Sequence, residues 1–170
     1  AGKLGFCEPI PFDLRTAASQ VTGGGGSFGG GVKDAVELAS AAYGQAETVV
    51  TPLQMALVTS TVANNGVLMR PHLVQAFTGQ AGTRTVDPEV WQRVLPPEIA
   101  REIAVAMRQA VEGRLGRQFT TGAQVKGLTV AGKSGTAELG GTGEPNSWFI
   151  GFAPAEDPEI VIAVVVEQGG

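Results

Sequence analysis

Cysteine and histidine are nearly absent from this chain, and each shortage excludes a class of site. Cys7 is the only cysteine, so the chain can form neither an internal disulfide bond nor a cysteine-based metal cluster. His72 is the only histidine, which disfavours a histidine zinc site and a Ser-His-Asp triad. We therefore expect a site without a metal. We also expect no cofactor.

Charge is also sparse. Asp, Glu, Lys and Arg make up 16% of the 170 residues, and the formal net charge is −4. Proteins that follow a phosphate backbone carry clustered Lys and Arg, so we do not expect nucleic acid as a partner. The longest apolar run, Ile160 to Val166, is far too short to cross a bilayer as a helix. With 43% hydrophobic residues the chain can bury a core, as one domain or as part of a larger one.

The segment from Val130 to Glu138 is the most informative feature that is present. It reads V-A-G-K-S-G-T-A-E, and two runs of β-branched, aromatic and apolar residues follow it, Ser147 to Ala153 and Ile160 to Val166. Turn-forming residues, among them Pro154, separate these runs. The pattern predicts a three-stranded antiparallel meander over residues 130–166, with a Lys-Ser-Gly-Thr unit on its first strand.

Strand geometry indicates how this unit would act. Side chains alternate across a strand, so Ser134 and Thr136 should point to one face and Lys133 to the other. Two hydroxyls beside a cation suit a carboxylate, because charge-assisted hydrogen bonds are about twice as strong as neutral ones. Gly132 and Gly135 lack a Cβ and would let a backbone, a helix or a substrate come close. If the strand lies at an edge, the Thr136 N–H would also be placed to stabilise an oxyanion.

Two other interpretations fit the same residues. A lysine and a serine on a half-exposed strand are commonly a solvated face. The sequence also satisfies the phosphate-loop pattern G-x-x-x-x-G-K-[ST] of nucleotide-binding enzymes. Gly127 is its first glycine, and Gly132, Lys133 and Ser134 follow after four residues. That motif needs a helix that begins at its Lys-Ser end, whereas the glycines and the proline after Ser134 do not sustain a helix. A helix directly after Ser134 would indicate a phosphate loop, and a strand would exclude it.

Two helices are predicted. Residues Thr51 to Asn65 carry Thr51 as an N-cap, Pro52 at the first helical position and Gly66 as a C-cap. The side chains expected to be buried there are Leu53, Met55, Ala56, Val58 and Val62. Residues Pro97 to Gly113 form the second helix, with an inward set of Ile99, Ile103, Met107 and Ala110 and a water-facing set of Glu98, Arg101, Glu102 and Arg108.

The remaining segments are expected to be less regular. Residues 1–33 are rich in glycine and predict a variable surface loop. Residues 66–75 predict a turn and a short strand. The overall expectation is an α/β protein of the α+β type, an antiparallel sheet flanked by helices.

Three separated stretches together resemble a known family. They are Tyr43-Gly44-Gln45 with the Thr51-Pro52-Leu53-Gln54-Met55-Ala56 helix start and the Ala63-Asn64-Asn65-Gly66 end; Lys133-Ser134-Gly135-Thr136-Ala137-Glu138; and Trp148-Phe149-Ile150-Gly151-Phe152-Ala153-Pro154. In this order they resemble the C-terminal portion of the transpeptidase domain of class B penicillin-binding proteins, serine acyltransferases that cross-link bacterial peptidoglycan. The resemblance covers most of residues 40–168. It implies the penicillin-binding transpeptidase fold, with residues 1–170 as the C-terminal part of a single domain.

The resemblance implies a role for each residue of the Lys-Ser-Gly-Thr unit. Lys133, Ser134 and Gly135 match the family's third motif, in which the lysine supports proton traffic around the active serine and the hydroxyl residue binds a carboxylate. Thr136 matches the position whose backbone N–H contributes to the oxyanion hole. Lys133 and Thr136 are thus the expected catalytic residues, and Ser134, Gly135 and Thr136 the expected substrate-binding residues. The implied partners are peptidoglycan stem peptides and β-lactam antibiotics.

The chain also departs from the family pattern. None of its serines is followed three residues later by lysine, and no S-x-N or S-x-D is present. In the family both motifs precede K-[ST]-G, so we expect them in an N-terminal half of the same domain. We also expect a membrane anchor there, which would place the domain on the extracytoplasmic face of the bacterial cytoplasmic membrane. The chain alone should then be inactive and should need that N-terminal half for solubility. The alternative is a non-catalytic penicillin-binding or sensor module that lacks the nucleophile.

Overall fold

Helices and antiparallel strands alternate along the chain. The computed structural model describes residues 1–21, 34–45, 48–113, 122–138 and 143–169. The α-helices in these ranges are α1 (Ala35–Ala42), α2 (Pro52–Ala63) and α3 (Pro97–Glu112). The strands are β1 (Val67–Met69), β2 (Ala76–Gly79), β3 (Gly82–Thr85), β4 (Val90–Arg93), β5 (Ala131–Ala137), β6 (Asn146–Ala153) and β7 (Ile160–Val166). None of these helices has the length and apolar content needed to cross a membrane.

The main sheet consists of β5, β6 and β7, with β6 in the centre. Both pairings are antiparallel, and the register places Lys133 opposite Ile150 and Ile150 opposite Ala163. Two smaller antiparallel sheets pair β1 with β4 and β2 with β3. The predicted fold class of helices with antiparallel strands is confirmed, and the three strands of the main sheet lie within residues 130–166.

One face of the main sheet packs against α2 and α3. Met107 of α3, Ala131 of β5 and Phe152 of β6 form a buried cluster, and Val62 of α2 packs against it. A second buried cluster joins α2 to β1 and to the N-terminal segment through Ile10, Leu57 and Leu68. The first cluster holds the beginning of β5 against α3, two residues before Lys133.

The helix α2 begins at the predicted position but ends earlier than predicted. The Thr51 hydroxyl accepts a hydrogen bond from the Gln54 N–H at 3.1 Å, which confirms the N-cap. The C-cap is Asn64, whereas the prediction was Gly66. Asn65 and Gly66 both adopt left-handed backbone angles, with φ of 51° and 85°. The chain uses two left-handed residues to turn from α2 into β1, so Gly66 belongs to the turn.

The side chains that α2 buries differ from the predicted apolar set. Its buried residues are Gln54, Leu57, Thr59 and Thr61, whereas the five predicted apolar residues are only half-buried. The Thr59 and Thr61 hydroxyls donate to the carbonyl oxygens of Met55 and Leu57, at 2.7 and 2.9 Å. These bonds within the helix offset the cost of burying the two hydroxyls, so a pattern of apolar residues does not reveal the buried face.

The helix α3 has the predicted position and a different buried face. Its buried residues are Ala100, Met107 and Val111. Ile99 and Ile103, predicted to face inward, are 39% and 37% exposed. The small Ala104 packs against the buried cluster, and small side chains at Ala100 and Ala104 let α3 lie close to the sheet. The predicted inward position is therefore confirmed for Met107 and wrong for Ile99 and Ile103.

Four elements were not predicted from the sequence: α1, β2, β3 and β4. Asp34 caps α1, because its carboxylate accepts from the N–H groups of Val36 and Glu37, both at 2.9 Å. All residues of the hairpin formed by β2 and β3 are exposed, so no alternation of burial marks it in the sequence. Residues 22–33, which hold most of the glycines of the predicted loop, lie outside the described residues.

A cluster of polar side chains joins α3 to the residues that lead into β5. Arg108 donates to Glu112 and to Glu156 of the turn between β6 and β7, both at 2.6 Å. Glu156 also accepts from the Thr129 hydroxyl, and the Thr129 carbonyl accepts from the Ala155 N–H at 3.0 Å. The hydrogen bond from Thr129 holds the pKa of Glu156 below its ordinary value, and the charge of Arg108 adds to this effect. The cluster fixes Thr129 four residues before Lys133.

The other face of the main sheet carries exposed apolar side chains on β7. Ile160, Ile162, Val164 and Val166 are 60%, 43%, 46% and 53% exposed. Because side chains alternate along a strand, these four share the face opposite α2 and α3. A row of apolar side chains of this kind favours association.

We predict that Gly66→Ala destabilises the protein more than Gly127→Ala does. Both glycines have left-handed φ, 85° and 80°, so alanine at each costs roughly 1 kcal/mol of backbone strain. A Cβ at Gly66 would collide with the Leu95 carbonyl, whereas a Cβ at Gly127 meets nothing within 4 Å. We expect a loss of about 1 kcal/mol for Gly127→Ala and about 3 kcal/mol for Gly66→Ala in urea denaturation. Equal losses would contradict this account of the turn.

We also predict that Glu156→Gln flattens the acid dependence of stability. The folded-state pKa of Glu156 is lowered from its ordinary value of 4.5, so its contribution is complete above that value and is lost as the pH falls through the folded-state pKa. Between about pH 5 and pH 3, the melting temperature of the native protein should fall more steeply than that of the variant. Glu159→Gln, in the same turn but outside the cluster, should keep the native slope. A native slope in Glu156→Gln would show that the cluster does not hold this carboxylate.

The apolar face of β7 predicts that the isolated 170-residue chain associates with itself. Replacing Ile162 and Val164 together by threonine keeps β-branched residues on the strand and reduces its apolar surface. The double variant should scatter less light and bind less of an environment-sensitive apolar dye than the native chain. Val90→Thr, a substitution of a similarly exposed valine on β4, serves as the control. A native chain that stays monomeric without binding dye would contradict the prediction.

Candidate active-site strand

The Lys-Ser-Gly-Thr unit lies in the middle of β5, at one edge of the main sheet. Among the described strands, β5 pairs only with β6. Lys133, Ser134, Gly135 and Thr136 are all exposed, although Ala131 and Gly132 just before them are buried. The strand therefore enters from the core and presents its four polar or small residues at the surface.

The side chains of this unit divide between the two faces as predicted for a strand. Lys133 pairs across the sheet with Ile150, on the face that packs against α2 and α3. Ser134 and Thr136 pair with Phe149 and Ser147, on the opposite face. The two hydroxyls are thus next to each other on one side of the edge, as a shared ligand would require.

Two backbone contacts determine which peptide groups of β5 point outward. The carbonyl of Thr129 accepts from Ala155, on the β6 side of the strand, at 3.0 Å. The carbonyl of Thr136 accepts from the Gln45 side chain at 3.2 Å, on the outer side. Peptide directions alternate along an antiparallel strand, and the N–H and C=O of one residue point to the same side. The N–H groups of Ser134 and Thr136 therefore face away from β6.

The ammonium group of Lys133 reaches back to this outer edge. Its Nζ donates to the carbonyl oxygen of Ser134, although the Lys133 side chain starts from the helix-facing side. The positive charge and the outward N–H groups of Ser134 and Thr136 are consequently on the same edge. Such an edge is suited to a carboxylate or to a carbonyl oxygen on which negative charge develops.

Gly132 and Gly151 make room for an aromatic ring next to Ser134. The two glycines are opposite each other in β5 and β6. A Cβ at Gly132 would overlap the ring of Phe149, and a Cβ at Gly151 would lie 2.9 Å from Phe149 Cε1. The close neighbour that the sequence led us to expect at Gly132 is therefore a side chain of the adjacent strand. A Cβ at Gly135 would make only an ordinary contact with Trp148, at 3.6 Å.

The phosphate-loop interpretation of Gly127 to Ser134 is wrong. The strand β5 continues through Ser134 as far as Ala137, so no helix begins at the Lys-Ser end of the motif. A phosphate loop needs the N–H groups of a helix N-terminus at that point. The chain forms a strand here instead of a loop and a helix for two physical reasons. Leu128 to Ala131 favour strand, and the glycines after Ser134 do not sustain a helix.

Gln45 is the site residue whose role the sequence did not reveal. It was noted only as a member of the Tyr43-Gly44-Gln45 stretch. Its contact with Thr136 joins residues 91 positions apart, so no local pattern could indicate it. The signal available in the sequence was the occurrence of both stretches in the same family resemblance.

The comparison with protein families agrees with this geometry. The family model of the penicillin binding protein transpeptidase domain matches residues 13–170. A peptidoglycan D,D-transpeptidase PbpA from Mycolicibacterium smegmatis is 38% identical over 149 residues, which are 83% of this chain and 29% of that protein. The protein of the same name from Mycobacterium tuberculosis is 34% identical over 166 residues, which are 95% of this chain and 31% of that protein. The chain therefore spans about a third of the length of these relatives.

Solved structures give the same result. Penicillin-binding protein A from Mycobacterium tuberculosis, in its imipenem acyl-enzyme complex, superposes with a TM-score of 0.83 and 33% identity, over 100% of this chain and 37% of that chain. The D,D-transpeptidase domain of a peptidoglycan glycosyltransferase from Eggerthella lenta superposes with a TM-score of 0.74 and 29% identity, over 99% and 42% of the two chains. The resemblance found in the sequence is confirmed, and the chain belongs to the penicillin binding protein transpeptidase family.

Proposed function

We propose that the chain supplies the substrate-binding and oxyanion strand of a peptidoglycan D,D-transpeptidase that acts by serine acyl transfer. The observation that carries the proposal is the exposed edge at Lys133 to Thr136, where a cation, two hydroxyls and outward N–H groups come together. Membership in the transpeptidase family and the relatives named as D,D-transpeptidases support this reaction class.

In this proposal β5 binds one stem peptide and polarises its reacting carbonyl. The hydroxyls of Ser134 and Thr136 donate to the peptide carboxylate, and Gly135 between them has no Cβ that would hinder the peptide. The Thr136 N–H donates to the carbonyl oxygen as negative charge develops on it. The Lys133 ammonium adds positive charge at the same edge and supports proton transfer at the serine. Lys133 and Thr136 are thus the catalytic residues of this chain.

The nucleophile in this proposal belongs to an N-terminal half of the same domain that carries S-x-x-K and S-x-N. Its serine oxygen forms an ester bond with the reacting carbonyl carbon, the amide C–N bond breaks, and the leaving amine takes up the proton that the serine loses. An amine of a neighbouring stem peptide then attacks the ester, which forms the cross-link and restores the serine. Residues 1–170 alone contain no S-x-x-K sequence and are expected to be inactive.

The proposed ligands are peptidoglycan stem peptides and β-lactam antibiotics, with no cofactor. β-Lactam binding is supported by the Mycobacterium tuberculosis relative, whose structure is an imipenem acyl-enzyme complex. Peptidoglycan lies outside the cytoplasmic membrane, so the parent protein is proposed to be anchored there and to act on the extracytoplasmic face. The alternative of a non-catalytic penicillin-binding module is less favoured, because the relatives are named as transpeptidases.

We predict that Lys133→Ala in the full-length protein lowers the rate of acylation by a fluorescent penicillin by roughly 100-fold or more, the loss typical of removing one electrostatic stabiliser from a transition state. The measurement is the rate at which the labelled protein band appears. The variant should keep the native melting temperature, because Lys133 is exposed.

Lys126→Ala is the matched control for this experiment. Lys126 is also exposed, and it lies in the turn between Val125 and Leu128, outside β5. The control should be labelled at the native rate. Native labelling of Lys133→Ala would contradict the role proposed for Lys133, and a native protein that no penicillin labels would contradict the proposed function itself.

A further inference from the structure

The outer edge of β5 is held by a residue that is distant in sequence. The Gln45 side-chain Nε2 donates to the Thr136 carbonyl oxygen at 3.2 Å. The Gln45 backbone N–H donates to the Ser40 carbonyl at 3.0 Å, which ties Gln45 to the end of α1. Gln45 is half-buried, so its side chain is partly confined. It contacts β5 at the residue whose N–H the proposed function uses.

A donor on the Thr136 carbonyl also constrains the Thr136 N–H. In an extended residue both groups point to the same side, so a bond that keeps the carbonyl outward favours the extended conformation in which the Thr136 N–H also points outward. Thr136 is one residue from the end of β5 at Ala137, and strand ends with few partners open readily. The Gln45 amide thus supplies, on the outer side, the support that β6 supplies on the inner side.

The neighbouring outward carbonyl has a donor as well. The Ser134 carbonyl accepts from the Lys133 ammonium. Both outward carbonyls of the unit are therefore engaged by side chains of this chain, while the N–H groups of the same residues face outward beside them. A further β-strand needs donors and acceptors in alternation, whereas an acyl oxygen or a carboxylate needs donors. The edge therefore presents N–H donors to such oxygens, while each carbonyl already has one donor of its own.

We propose that Gln45 is a positioning residue for acyl transfer. By holding the Thr136 carbonyl, its amide aims the Thr136 N–H at the reacting carbonyl oxygen. This inference rests on the proposed function, because it gives Gln45 a role only where the Thr136 N–H stabilises an oxyanion. Gln45 itself touches no reacting atom.

The first test is Gln45→Ala in the full-length protein, with acylation by a fluorescent penicillin measured over a range of concentrations. An oxyanion donor acts more strongly in the transition state than in the initial complex. We therefore expect the maximal acylation rate constant to fall by roughly five- to tenfold, the effect of one neutral hydrogen bond. The concentration for half-maximal rate should change by less than about twofold. A native rate constant, or a loss confined to the half-maximal concentration, would overturn the proposal.

The second test is Gln45→Glu, which keeps the size of the side chain. When the introduced carboxyl group is ionised, it only accepts hydrogen bonds, so it repels the Thr136 carbonyl oxygen. When the carboxyl group is protonated, its O–H can donate to that oxygen as the Gln45 amide does. The acylation rate relative to native protein should thus rise as the pH is lowered from about 8 to about 5. Lys133 and Glu138 are the charged side chains on and next to this part of β5. Division by the native rate at each pH removes any contribution that native protein and variant share. A relative rate that does not change with pH would overturn the proposal.

Two controls complete the design. Gln80→Glu, in the exposed turn between β2 and β3, adds the same charge away from β5 and should show a relative rate near one at every pH. Gln45→Asn keeps the amide but is one methylene shorter, so it should repeat the loss seen with alanine, with an unchanged melting curve. If native protein is labelled and the Gln45 variants are labelled at the same rate, the role of Gln45 is refuted and the proposed function is not. Native protein that is not labelled would refute the proposed function and this inference with it.

Discussion

The one-sided pairing of β5 is the constraint on which the site depends. Hydrogen bonds to β6 engage the peptide groups of alternate residues, and the peptide groups between them face outward. The outward residues include Ser134 and Thr136. Sheet geometry alone therefore places N–H donors on the same edge as the two hydroxyls, and an edge of this kind is usually a liability that a protein must protect. Here the side chains of Lys133 and Gln45 cover its carbonyls.

Several independent contacts keep that edge in place. The buried cluster of Met107, Ala131 and Phe152 anchors the start of β5 against α3. The hydrogen bonds of Thr129 to Glu156 and Ala155 fix the chain just before the strand. The ring of Phe149 covers the paired glycines beside Ser134. A site that must hold donors in one direction is thus built on a rigid element with support from both faces.

The sequence indicated the strand of the site well, because that information is local. Alternation over residues 130–138 placed Ser134 and Thr136 on one face and Lys133 on the other, and the register agrees. The helix faces were harder to predict. In α2, threonine hydroxyls bond within the helix and become buried. In α3, Met107 is buried as predicted, but the small Ala100 is also buried while Ile99 and Ile103 stay exposed, so apolar size alone was a poor guide. The hairpin of β2 and β3 is exposed throughout, which leaves no burial pattern to read.

The contact between Gln45 and Thr136 has a consequence for the order of folding. It closes a loop of 91 positions, whereas the pairing of β5 with β6 joins neighbours in the chain. Closing a long loop costs more entropy than closing a short one, so nearby pairings form before distant ones. We therefore expect the three-stranded meander to assemble while its outer edge is still bare, and α1 to reach that edge afterwards. During this interval a newly synthesised chain is most vulnerable to pairing with a strand of another molecule.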